Sequence, residues 1–162
     1  MKTKLLMLFV LLGSLWTSNL YAQTRYPKRE FRGAWIQCVN GQFQGMPTEK
    51  MKKVLVSQLD NLQKAGINAI IFQVRAEADA LYKSPYEPWS RFLTGVQGKA
   101  PSPMWDPLQF MIEECHKRNM ELHAWINPYR AKTKGTGALS PMHPYSKNPE
   151  LFVQYAGQLY FD

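Results

Sequence analysis

Residues 68–75 read NAIIFQVR, a strand candidate from which the fold class can be inferred. Its apolar side chains are mainly β-branched or aromatic, which favours a β-strand. Side chains alternate between the two faces of a strand, so one face is wholly apolar and the other becomes polar at Gln73 and Arg75. A strand with one fully apolar face is suited to packing under helices in an α/β protein.

Two similar segments flank this central strand, each separated from it by a predicted helix. Residues 31–39 (FRGAWIQCV) and 121–127 (ELHAWIN) are the two further strand candidates. Residues 48–65 place apolar side chains at helical spacing, with Thr48 expected to cap that helix and Gly66 to end it. The chain therefore alternates strand and helix, which predicts parallel strands joined by right-handed crossovers.

The second helix has a clear start signal. Asp106 is expected to cap it and Pro107 to occupy its first position, and the helix extends to about Asn119. Longer irregular segments are predicted at 76–105 and 128–149, where prolines and glycines recur, and a short apolar tail follows.

Polar and aromatic side chains gather toward the carboxyl ends of the predicted strands. In strand three, His123, Trp125 and Asn127 share one face, as Gln73 and Arg75 do in strand two. Parallel α/β sheets and barrels bind ligands at this end of their strands. Individually, His123 or Trp125 could belong to the core and Arg75 to a buried ion pair, but the repetition over neighbouring strands predicts a shared ligand site.

The two long loops add residue types that suit carbohydrate. The first contains Glu77, Asp79, Tyr82, Trp89 and Arg91, and the second contains Tyr129, Arg130, His143 and Tyr145. Carboxylates and amides can hydrogen-bond sugar hydroxyls, whereas aromatic rings stack on the apolar faces of sugar rings. Long loops in compact domains are commonly functional, so a glycan ligand is favoured over a flat hydrophobic one.

The distribution of charge and the absence of several motifs argue against other functions. The formal net charge is +8, but the basic residues are scattered and do not alternate with aromatics, which argues against nucleic acid binding. The three histidines lack the short spacing of metal ligands, and no phosphate-binding loop or Gly-x-Ser-x-Gly elbow is present. We therefore expect neither a metal nor another cofactor.

The amino terminus is typical of an export signal. Two lysines precede an apolar run from Leu5 to Trp16, and Ala22 offers a small residue for cleavage. The run is shorter than the ~20 residues that span a bilayer, so a membrane anchor is the less favoured alternative. The predicted organisation is a signal peptide at 1–22, a linker at 23–29 and one domain at 30–162. The protein is then exported to the periplasm or the extracellular space, with no stable membrane insertion after removal of the signal.

Export makes a disulfide between Cys38 and Cys115 chemically possible. However, Cys38 ends a predicted strand and Cys115 lies on the apolar stripe of a predicted helix. Two buried free thiols are therefore the favoured interpretation.

Several motifs together resemble the glycosyl-hydrolase-like family 10 domain of exported bacterial proteins. They are EFRGAWIQ (30–37), GINAIIFQVRAEADALYKS (66–84), PWSRFLTG (88–95), DPLQFMIEECHKRNMELHAWINPYR (106–130) and LYFD (159–162). The resemblance implies a TIM-barrel glycosidase fold acting on a bacterial cell-wall or related polysaccharide, foremost peptidoglycan glycan strands stripped of stem peptides. A (β/α)8 barrel needs ~250 residues, so 162 residues would correspond to about the first three βα units, in an N-terminal fragment.

The resemblance also implies which residues position the substrate. The positions that match the family motifs are Gln73, Arg75, Asp79, Tyr82, Trp89, His123, Trp125, Asn127 and Arg130. Glycoside hydrolysis usually requires two carboxylates, which the family would place on later strands, so binding is favoured over catalysis for Asp79. A fragment of this kind is expected to be inactive and poorly folded in isolation.

Two other functions stay open at this point. A non-catalytic carbohydrate-binding protein could use the same scaffold, since fold does not settle function. A weaker alternative is a barrel enzyme of another class, such as a lyase or an enzyme of phosphorylated substrates.

Overall fold

A computed structural model describes residues 30–162 of the protein. The predicted signal peptide and linker lie outside the described residues. The described chain forms a parallel β-sheet with helices on one face, followed by a small antiparallel sheet.

The parallel sheet contains β1 (Gly33–Ile36), β2 (Ala69–Arg75) and β3 (Glu121–Ile126), with β2 in the centre. Its register places Gln73 opposite Trp125 and Trp35 opposite Ile71. The predicted α/β class and the parallel βαβ units are thereby confirmed, although β1 is shorter than its predicted range of 31–39. Closure into a (β/α)8 barrel stays a prediction.

Two helices, α1 (Thr48–Lys64) and α3 (Pro107–His116), connect the parallel strands. A one-turn helix, α2 (Arg91–Thr94), interrupts the loop that was predicted to be irregular. The side chains between helices and sheet form one apolar core. Its most deeply buried members include Leu55, Leu59, Ile70, Phe72, Met111 and Cys115.

The two helix starts differ in how well the sequence predicted them. The Asp106 side chain accepts a hydrogen bond from the backbone N–H of Gln109 at 3.0 Å, which confirms the predicted cap of α3. The predicted Thr48 cap is wrong, because Pro47 occupies the capping position and Thr48 already lies inside α1. The Thr48 hydroxyl donates instead to the carbonyl of Pro103 at 3.5 Å.

The carboxyl-terminal part corrects a second expectation, that of an irregular segment and an apolar tail. It contains β4 (Arg130–Lys132), α4 (Pro144–Lys147), a 3-10 turn (Pro149–Leu151), β5 (Phe152–Tyr155) and β6 (Gln158–Phe161). Both strand pairs of this sheet, β4 with β6 and β5 with β6, are antiparallel. The hairpin turn is formed by Ala156 and Gly157, both at positive φ, and alanine there hides the usual Asn-Gly signal.

Cys38 and Cys115 are both free and buried, as predicted. Burial raises the pKa of both thiols, that of Cys115 to about 11, so little reactive thiolate exists near neutral pH. We expect iodoacetamide to label neither cysteine in the folded protein and both after denaturation, as measured by mass spectrometry. Rapid labelling of either thiol under native conditions would contradict this burial.

Candidate functional site

A cleft of about 410 Å³ lies at the carboxyl ends of all three parallel strands. Val39 and Asn40 follow β1, Ala76 and Glu77 follow β2, and Arg130 follows β3. The remaining lining residues are Gly41, Gln44, Arg91, Phe92, Thr133 and Lys134. This position agrees with the general rule for ligand sites in α/β proteins and with the end of the sheet at which the sequence predicted one.

Glu77 is the main organising residue of the cleft wall. Its side chain is 1% exposed, and its carboxylate accepts two hydrogen bonds from the Arg91 guanidinium, at 2.9 and 3.1 Å. Thr133 donates to it from both its backbone N–H and its hydroxyl, and the Thr136 hydroxyl adds a bond at 3.0 Å. Burial opposes ionisation of Glu77, but the bonds from Arg91 and Thr133 outweigh it and hold the pKa of Glu77 below its usual value.

Asp79, one of the predicted substrate-binding residues, is fully buried. It accepts hydrogen bonds from the backbone N–H of Glu77 at 3.2 Å and from the Gln97 side chain at 3.3 Å. Burial raises the pKa of Asp79, although bonds from Gln97 and Ser90 act in the other direction. With its oxygens engaged inside the protein, Asp79 shapes the loop after β2 rather than opening onto the cleft.

Arg75 makes a short ion pair with Glu87, with 2.6 Å between Nε and Oε1. Its Nη1 also donates to the backbone carbonyl of Asn127 at 2.6 Å, which ties the end of β2 to the end of β3. The Tyr82 hydroxyl lies 3.4 Å from the other Glu87 oxygen. Arg75 and Tyr82 therefore share one acidic partner beside the sheet, and Arg75 fulfils the ion-pair interpretation.

Trp125 and Asn127 form a second group with Trp35. The two tryptophan rings meet edge to face with centroids 4.9 Å apart, and Trp35 is 67% exposed. The indole N–H of Trp125 donates to Asn127 Oδ1 at 3.0 Å, and the Asn127 amide in turn donates to the carbonyl of Ala76 at 3.2 Å. This fixed aromatic pair offers a ring face of the kind on which sugars stack.

The remaining predicted residues lie away from the cleft opening. Gln73 is buried and accepts a hydrogen bond from the backbone N–H of Cys38 at 3.2 Å, which links β1 to β2. Trp89 is partly buried and packs against the main core. His123 is exposed in the middle of the edge strand β3, where it contacts Glu121 at 3.2 Å and the edge of Phe31.

Of the nine predicted substrate-binding residues, Arg130 alone lines the cleft. Arg91 was predicted only as part of the first long loop, and Asn40, Gln44 and Lys134 were not predicted to contribute to a site. Their common signal was position, because each follows a strand or lies in a long loop after one. Substrate contact by any of the nine stays a prediction.

His143 is a further residue of the site, and its position in the second long loop did not by itself predict a role. The ring is fully buried, and Nε2 lies 2.9 Å from the Glu77 carbonyl and 3.1 Å from the Ala131 carbonyl. Since carbonyl oxygens only accept, Nε2 donates, while Nδ1 accepts from the backbone N–H of Tyr145 at 3.1 Å. His143 thus braces the backbone of Glu77 and of β4, on which Arg130 lies.

The cleft as arranged is suited to binding a polar ligand. Over residues 30–162, no group of three or more metal-ligating side chains converges. The two nearest carboxylates, Glu77 and Asp79, are both buried and hydrogen-bonded. No helix within the same range is long and apolar enough to cross a bilayer.

Comparison with known proteins identifies the family to which the chain belongs. The family model described as glycosyl hydrolase-like 10 matches residues 30–159. The chain belongs to the glycosyl hydrolase-like 10 family. It is 42% identical over 158 residues to glycosyl hydrolase YngK of Bacillus subtilis, covering 94% of this chain and 31% of that protein. It is also 38% identical over 120 residues to glycosyl hydrolase DigH of Escherichia coli K12, covering 67% of this chain and 27% of that protein.

Family membership confirms the resemblance drawn from the motifs. The chain spans less than a third of the length of either relative. The activity of the full-length relatives is therefore only proposed for this chain.

Proposed function

We propose that this chain is the substrate-positioning part of an exported glycoside hydrolase that acts on a bacterial cell-wall glycan, foremost peptidoglycan strands without stem peptides. The observation that carries the proposal is the polar cleft at the carboxyl ends of β1, β2 and β3. Family membership supports hydrolysis of a glycan, and the apolar run after Lys4 supports export to the periplasm or beyond.

The proposed reaction is hydrolysis by a carboxylate pair and water, without a required cofactor. Such carboxylates flank the scissile bond, ~5 Å apart in retaining enzymes or ~6.5–9.5 Å apart in inverting ones. Glu77 accepts bonds from Arg91 and two threonines, so its role here is to hold the cleft wall. The chain would contribute Arg130 and the Trp35–Trp125 pair to orienting the sugar.

The test is hydrolysis by the protein expressed from its complete reading frame. Peptide-stripped glycan strands, intact peptidoglycan and chitin oligosaccharides are each incubated with it, and new reducing ends are measured and identified by mass spectrometry. We expect chain shortening of the stripped strands. Absence of new reducing ends from all three substrates would overturn the proposed activity.

A second candidate function is carbohydrate binding without catalysis. The burial of both Glu77 and Asp79 favours it, since no exposed carboxylate pair lines the cleft in residues 30–162. The same protein would then bind stripped glycan in calorimetry and produce no new reducing ends.

A further inference from the structure

The cleft carries an excess of positive charge that the proposed function does not explain. Its lining contains Arg91, Arg130 and Lys134 against the single carboxylate of Glu77. Arg91 is neutralised by that carboxylate, with two hydrogen bonds and a buried partner. Two cations therefore remain for a ligand.

Arg130 and Lys134 are exposed, and neither side chain makes a hydrogen bond or ion pair with another residue of 30–162. Their backbone positions are nevertheless well defined. Arg130 pairs with Tyr160 in the small sheet, and Thr133, next to Lys134, is held by Glu77. The cleft thus presents two unpaired cations from an anchored backbone. This arrangement favours binding of an anion, because little backbone conformational entropy is lost on binding.

The chemistry of the neighbours indicates what kind of anion fits. A guanidinium matches a carboxylate through two parallel hydrogen bonds, and an ammonium adds a compact charge. Asn40 and Gln44 line the same cleft and can bind hydroxyl or acetamido groups. A ligand that carries both a carboxylate and sugar hydroxyls satisfies all four residues.

We infer that Arg130 and Lys134 form a subsite for the carboxylate of an acidic sugar, and that this subsite selects peptide-free glycan. The inference rests on the proposed function. When a stem peptide is attached, the lactyl carboxyl of muramic acid is tied up in an amide, whereas its removal frees one carboxylate per disaccharide. The subsite would bind that freed carboxylate.

The experiment compares two glycans that differ only in this charge. Peptide-stripped strands are used either with free lactyl carboxylates or after conversion of those groups to methylamides, and Kd and hydrolysis are both measured for the protein from its complete reading frame. We expect it to bind the carboxylate form about tenfold or more tightly, because each charge-assisted bond that is lost weakens binding by roughly that factor. Added salt should reduce the difference.

The variant R130Q/K134Q should lose this preference and bind the two glycans with similar affinity. The matched control K53Q/K64Q removes two exposed lysine charges from α1 and should keep the preference. Circular dichroism and thermal unfolding establish that both variants are folded. If R130Q/K134Q does not fold, the comparison of the two glycans with the unaltered protein still decides the inference.

The outcomes separate this inference from the proposed function. If the protein binds both glycans with equal affinity and hydrolyses them at equal rates, the carboxylate subsite is overturned and the proposed glycosidase activity stands. If the protein binds the carboxylate form selectively but hydrolyses neither glycan, the subsite is supported and the proposed glycosidase activity is overturned. If neither glycan binds, or if the control loses the preference as the variant does, the subsite is overturned.

Discussion

Replacement of Glu77 by glutamine is expected to lower the free energy of unfolding by about 3–5 kcal/mol, as is typical when one partner of a buried ion pair is removed. The carboxylate accepts from five donor groups, which belong to Arg91, Thr133 and Thr136. A glutamine offers one acceptor oxygen and places an amide donor against other donors. Arg91 is then left partly buried without its counter-charge. Urea unfolding of the protein expressed from its complete reading frame, followed by tryptophan fluorescence, measures the loss.

The same variant makes a prediction about pH. The folded protein lowers the pKa of Glu77 below 4.5, because the bonds and charge of its partners outweigh burial. Its stabilising contribution is therefore complete above about pH 4.5 and is lost as pH falls through the lower, folded pKa. The difference in unfolding free energy between the protein and its Glu77→Gln variant should stay constant from neutral pH to about 4.5 and narrow below it. Asp79, whose pKa burial raises, is present in both proteins.

Glu49 provides the control for both measurements. It pairs with Lys52 at 3.3 Å on the outside of α1, and its side chain is 71% exposed. Exposed pairs of this kind contribute about 0–1 kcal/mol, so Glu49→Gln should change stability little. Equal losses for the two glutamine variants would show that the Glu77 network does not stabilise the protein.

Local sequence patterns were enough to predict the strands of the parallel sheet and the end of the sheet at which the cleft lies. NAIIFQVR specified the central strand, because β-branched residues with one apolar face leave few alternatives. Asp106 and Pro107 likewise specified the start of α3. The cysteines followed from the same periodicity, since a thiol on an apolar stripe is buried with that stripe.

The partners within the site could not be predicted in the same way. Glu77 is held by residues 14, 56 and 59 positions away, and no periodic pattern relates such positions. Motif matching identified Arg75 and Asp79 as residue types with a role, but their orientation depends on Glu87 and Gln97, which come from another part of the loop. The hairpin of β5 and β6 was missed because Ala156 adopts a positive φ that alanine rarely signals.

Arg75→Met is the second substitution for which a large effect is expected, about 3 kcal/mol of unfolding free energy. It removes the ion pair with Glu87, whose side chain is 14% exposed, and the hydrogen bond to the Asn127 carbonyl. The Arg75 guanidinium also lies over the Phe161 ring, 5.7 Å from its centroid, so the change weakens the contact between the parallel sheet and β6. Urea unfolding is again the measurement.

Two further variants test whether the loss of stability in Arg75→Met comes from the specific contacts of its guanidinium. Arg75→Lys keeps the charge but lacks the planar guanidinium that reaches Glu87 and Asn127 together, so it should recover only part of the stability. Lys117→Met removes an ion pair with Glu114 in which the lysine is 64% exposed, and Glu114 keeps Arg118 as its second partner, so the change should cost less than about 1 kcal/mol. Because the structure engages Arg75 with protein groups, glycan affinity should fall only as far as folding does. Loss of glycan affinity with unchanged unfolding free energy would instead make Arg75 a direct substrate contact, as the family motif implies.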